Sequence, residues 1–146
     1  MQLVIIYNWS MRFGFSELST SQRIFISAVG AFVIYGGWGY FVNSMHTHEV
    51  AMMVAYVQGS YSFAVTLVMT ILIEAIYRLC KNLVNNLFLV NWFTILFCCS
   101  IVFSGSWWVN AMAGTPEIFE TVILGYILGG IYTVVYVFAL SKNTQK

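Results

Sequence analysis

Residues 62–78, SFAVTLVMTILIEAIYR, carry a polar side chain at every fourth position, Ser62, Thr66, Thr70, Glu74 and Arg78, in an otherwise apolar run. A four-residue step keeps side chains on one slowly winding face of an α-helix. The strict alternation of a membrane strand is missing, and the run is far too long for a single strand. In hydrocarbon, hydroxyls and carboxylates prefer a bundle interior, so this face is expected to look inward, with Gln58 and Gly59 extending it.

Three further apolar runs flank this one. The expected spans are about 24–42, 53–77, 87–109 and 118–140 of a single 146-residue domain. A bilayer core about 30 Å thick needs roughly 20 apolar residues per helical crossing, so four spans use most of the chain. Composition agrees: 60% of residues are apolar and only 8% charged, with a mean hydropathy of +0.83. A soluble domain carries roughly a quarter charged residues. An all-α integral membrane protein, a four-transmembrane-helix bundle in contact with the lipid bilayer, is therefore the expected fold. The net charge of +1 argues against nucleic acid, which demands a basic face.

Basic residues give the bundle a direction. Arg12 and Arg23 precede the first span, Arg78 and Lys81 lie between the second and third, and Lys142 and Lys146 follow the fourth. The other two loops hold no Lys or Arg, only His46, His48, Glu49 and Glu117 among chargeable residues. The positive-inside rule then predicts an N-in/C-in topology with both termini and the middle loop in the cytoplasm. Compactness and clean charge sorting point to a bacterial inner membrane. Residues 1–6 lack the basic start of a signal peptide, so the first span is expected to be its own insertion signal.

Local signals mark helix ends. Ser19 followed by Gln22 reads as a capping box, and Thr115-Pro116-Glu117 as an N-cap, a first-turn proline and an acid at the positive dipole end. Upstream, Val4, Tyr7, Met11, Phe15 and Leu18 recur at helical spacing, which fits an N-terminal amphipathic interfacial helix over residues 1–22. Trp38, Tyr40, Trp107 and Trp108 are expected at the outer headgroups, and Tyr77, Trp92 and Tyr136 at the inner ones. Cys80, Cys98 and Cys99 read as small packing residues, since adjacent cysteines are poorly placed for a bridge.

Several residues are candidates for function. The ladder itself reads either as a polar path with Glu74 as an ion or proton site, or as a packing face with Glu74 paired to Arg78. On the fourth span, Gly125-x-x-x-Gly129 with Gly130 forms a small-residue face suited to close helix approach, in this chain or against a second copy. Asn91 on the third span needs a partner, for which a hydroxyl of the second span is the expectation. On the outer face His46, His48, Glu49, Glu117 and Glu120 are potential ligands for a divalent metal, and nearby methionines extend this to copper. No H-E-x-x-H spacing, nucleophile elbow, P-loop or dinucleotide fingerprint is present. Two functions remain: a non-enzymatic subunit packing against itself or another membrane protein, and a small oligomeric transporter or channel using the ladder and Glu74.

Overall fold

The computed structural model describes residues 19–143 and is all-helical among them. Helix α1 spans Thr20–Val42, α2 His48–Leu83, α3 Leu87–Ala113 and α4 Ile118–Asn143. All four are long and apolar enough to cross a membrane. At most 28% of the most apolar stretch of any helix is buried in the bundle, so the apolar surface faces outward, as lipid requires. The expected interfacial segment lies mostly outside the described residues.

Each helix start has an identifiable cause. Ser19 and Gln22 form the capping box read from sequence. Thr47 Oγ1 accepts from Val50 N at the head of α2, and Asn86 Oδ1 accepts from Phe88 N and Leu89 N at the head of α3. α3 stops at Gly114, whose φ of +74° favours a residue without a Cβ. α4 departs from expectation. It begins at Ile118, past Pro116, and the Thr115 hydroxyl donates to Asn110 Oδ1 instead of capping. Capping is supplied from afar, by Asn43 Oδ1, which accepts from Glu117 N at 3.2 Å.

α2 also differs, extending five residues before and six after the expected span. Its 36 residues run about 54 Å, well beyond a bilayer core. Hydropathy marks only the apolar part, whereas Thr47, Glu49 and Lys81 allow the helix to continue at each end.

Packing runs around the bundle as α1 on α2, α2 on α3, α3 on α4. The α1–α2 crossing depends on two glycines: a Cβ on Gly36 would lie 2.8 Å from Ala55 O, and one on Gly59 2.9 Å from Phe32 O. Phe25 and Phe63 continue this contact edge-to-face at 5.9 Å. Tyr61 crosses to α3, its hydroxyl donating to Val102 O over Gly105. Towards the end carrying Arg78 and Lys142, hereafter the basic end, the core consists of Met69, Ile73, Tyr77 and Cys80 of α2, Val90, Ile95 and Cys98 of α3, and Val137 of α4. Among the described residues, none of α1 belongs to it. Tyr77 is 3% exposed within this core and so is not the headgroup anchor its position suggested.

Gly36→Ala and Gly59→Ala each press a methyl onto backbone oxygen that cannot move aside. Overpacking of this kind costs about 1–3 kcal/mol, more than the roughly 1 kcal/mol that replacing a helical glycine gains. Thermal unfolding in detergent micelles should show both variants destabilised, while Gly37→Ala, with nothing within 4 Å, is neutral or stabilising.

Candidate functional site

Three rungs of the ladder, Ser62, Thr66 and Thr70, face inward onto a cleft and not onto a closed core, whereas Arg78 is largely exposed. Ser62, Thr66 and Thr70 line a cavity of about 800 Å³ bounded by all four helices. It lies along the seam between α1 and α4. Those two helices are tied together at the end bearing His46 and Glu117, hereafter the histidine end. There Trp38 Nε1 donates to Glu120 O at 2.8 Å, and Asn43 bridges to Thr121 and Glu117. Towards the basic end α4 instead joins the α2–α3 core through Val137, leaving α1 apart. Gly30 of α1 and Gly129 of α4 both border the cavity, and a Cβ on either would meet nothing within 4 Å.

A buried carboxamide network closes the head of this cleft. Asn110 Nδ2 donates to Ser106 O at 2.9 Å, which fixes which end of that carboxamide is nitrogen. The same nitrogen donates to Gln58 at 2.7 Å, so Gln58 must present its oxygen there. Ser106 Oγ donates to that oxygen too, and Thr115 donates to Asn110 Oδ1. Gln58 and Asn110 are at most 1% exposed. Such groups are tolerable in an apolar interior only when paired.

At the foot of the cleft, Thr70 shares a hydrogen bond of 3.2 Å with the Tyr132 hydroxyl. Tyr132 packs on Tyr136, whose hydroxyl donates to Glu74 Oε1 at 3.0 Å, and Arg78 Nη2 donates to Oε2 at 3.1 Å. Glu74 therefore sits beyond the cavity wall, held by two donors. The ladder is not one continuous polar surface, because Thr66 Oγ1 turns back to Ser62 O on its own helix. Asn91 Nδ2 donates to Ser141 Oγ of α4 and not to a hydroxyl of α2, while its Oδ1 and the Tyr77 hydroxyl of α2 are buried without a partner among the described residues.

The glycine face of α4 is divided. Gly125 and Gly129 border the cleft, with Tyr35 and Gln58 near Gly125, while Gly130 floors a second hollow on the outer flank of α3 and α4. At the histidine end, His46 Nε2 lies 3.4 Å from Glu117 Oε1, whereas His48 Nδ1 shares a hydrogen bond with the Tyr40 hydroxyl. Among the described residues, no three His, Cys, Asp or Glu side chains come together to hold a metal ion, so His46, His48, Glu49, Glu117 and Glu120 do not form one constellation.

Sequence reasoning missed Tyr132, Asn43 and Asn110, and it named Tyr136 only as a headgroup anchor and not as the partner of Glu74. The available signal was chemical: a carboxamide in an apolar helix must find a partner. Comparison with protein-family models, with curated proteins and with solved structures gave no match.

Asn110→Leu removes the acceptor of the buried Thr115 hydroxyl and leaves Gln58 Oε1 with Ser106 alone, and should cost about 1–3 kcal/mol. Arg78→Gln removes a largely exposed i,i+4 pair and should cost no more than about 0.5 kcal/mol. Denaturant unfolding in micelles compares them directly.

Proposed function

We propose that the chain is a multi-pass protein of a bacterial inner membrane, with both termini cytoplasmic, acting without catalysis as a packing subunit with itself or another membrane protein. The charge sorting supports the orientation. The observation that carries the subunit reading is the hollow of about 370 Å³ on the outer flank of α3 and α4. Cys99, Tyr126, Ile131, Val134 and Val135 wall it, and Gly130 floors it with nothing within 4 Å of an added Cβ. A glycine-floored apolar hole receives the side chain of another helix, and small residues are how membrane helices approach closely. Gly130→Phe fills the hole from within. Cross-linking in nanodiscs and sizing in mild detergent should show the wild type in a defined complex and the variant dissociated. A monomeric wild type contradicts the reading.

One observation favours a second reading, a small oligomeric transporter. The Thr70–Tyr132–Tyr136–Glu74 series links the foot of the cleft to a carboxylate at the basic end. It predicts proton- or ion-coupled flux in liposomes that Glu74→Gln abolishes with the fold intact. Absence of flux in the wild type removes it.

A further inference from the structure

We propose that the cleft between α1 and α4 binds a neutral, elongated membrane amphiphile by a carbonyl-type oxygen, which Gln58 receives at the cleft head. The inference is independent of the subunit reading, because it uses a different surface.

Gln58 supplies the central observation. Its oxygen is committed to Asn110 and Ser106, so its amide nitrogen points away from them. Gln58 lines the cleft, and that nitrogen lies 3.7 Å from where a Cβ on Gly125 would be. Among the described residues it has no acceptor, though the side chain is 1% exposed. Two N–H donors are thus presented to a cleft whose lining is mostly apolar, where an unpaired donor is costly. One turn further along the cleft, the Ser62 hydroxyl also has no partner among the described residues, and Ser62 is 8% exposed. Both hold their donors at the same end of the cavity.

The walls define the rest of the ligand. Among the described residues no Asp, Glu, Lys, Arg or His lines the cavity, so the described walls offer neither an anion nor a cation a counter-charge. Ile24, Ile34, Val65, Leu67 and Leu128 make most of the remaining lining apolar, and the cleft follows α2 for about 18 Å from Gln58 to Thr70. A volume near 800 Å³ falls among small-molecule sites. A chain of methylenes or isoprene units fits along the walls with its oxygen at the donors. A transmembrane helix does not answer the donors in the same way, since its own carbonyls are already bonded within the helix. An acyl ester and a quinone share the required chemistry.

The test uses the full chain in nanodiscs, with glutamine and asparagine side chains ¹⁵N-labelled and the Gln58 and Asn110 amide signals assigned by their loss in Gln58→Glu and Asn110→Asp. Three probes are titrated: a diacylglycerol, a short-chain prenylquinone, and a hydrocarbon of matched length without oxygen. The proposal expects one carbonyl-bearing probe to shift the Gln58 amide signal saturably, and the hydrocarbon to leave it in place; which probe acts tells ester from quinone. Gly129→Phe fills the cleft without touching the network and should weaken binding about tenfold or more, whereas Gly130→Phe, outside the cleft, retains it. Should Gly129→Phe not fold, Ser62→Ala with Gly129→Leu serves, folding being checked by the unchanged Asn110 amide signal. Equal effects of the hydrocarbon, unaltered binding in a folded cleft-filling variant, or a Gln58 amide shifted only by a co-purifying polypeptide would each overturn the proposal. Loss of association in Gly130→Phe with ligand binding intact separates this site from the subunit surface.

Discussion

Carboxamides buried among apolar helices must be paired, and that constraint organises the histidine end of the bundle. Asn43, Gln58 and Asn110 come from three different helices or their ends, and each is at most 1% exposed. Asn43 ties α1 to the start of α4 through Thr121 and Glu117 N. Asn110 ties α3 to α2 through Gln58, and holds the α3–α4 turn through Thr115. In lipid, where water cannot answer an orphaned amide, each tie also fixes the geometry of the helices it joins.

What lies below follows from where those ties stop. α1 follows α2, its register set by Gly36 and Gly59, while α4 turns towards α2 and α3 and contributes Val137 to their core. The seam between α1 and α4 opens for that reason. The ladder of α2 is its polar floor, and Gln58 is its head. The two ends of the bundle thus differ in kind. One is closed by neutral amides, and the other carries Glu74 in hydrogen bonds to Tyr136 and Arg78.

The sequence reading reached the four helices because twenty-residue apolar runs have few alternatives, and it reached the ladder because a period of four survives any later packing. The Ser19 capping box and the Glu74–Arg78 pair were also legible, being local. Long-range pairings were not. Nothing in the sequence near Glu74 indicates Tyr136, 62 residues away, and Asn91 was matched to the wrong helix because depth alone leaves both neighbours open. The same holds for the glycines of α4. Their spacing announces a small face, but whether it meets another helix, a cleft or lipid depends on crossing angles that Gly36 and Gly59 set elsewhere in the chain.

The central claim is that α1 is held to α4 at the histidine end alone, so that the seam stands open within the bilayer. Single cysteines at Gly30, Gly129, Gly130 and Val137, in a background lacking Cys80, Cys98 and Cys99, test it by reaction with a membrane-permeant maleimide. Gly130 faces outward and Val137 is 0% exposed, so they bracket the scale. The open seam predicts that Gly30→Cys and Gly129→Cys react at rates near that of Gly130→Cys. Protection of both to the level of Val137→Cys would contradict it.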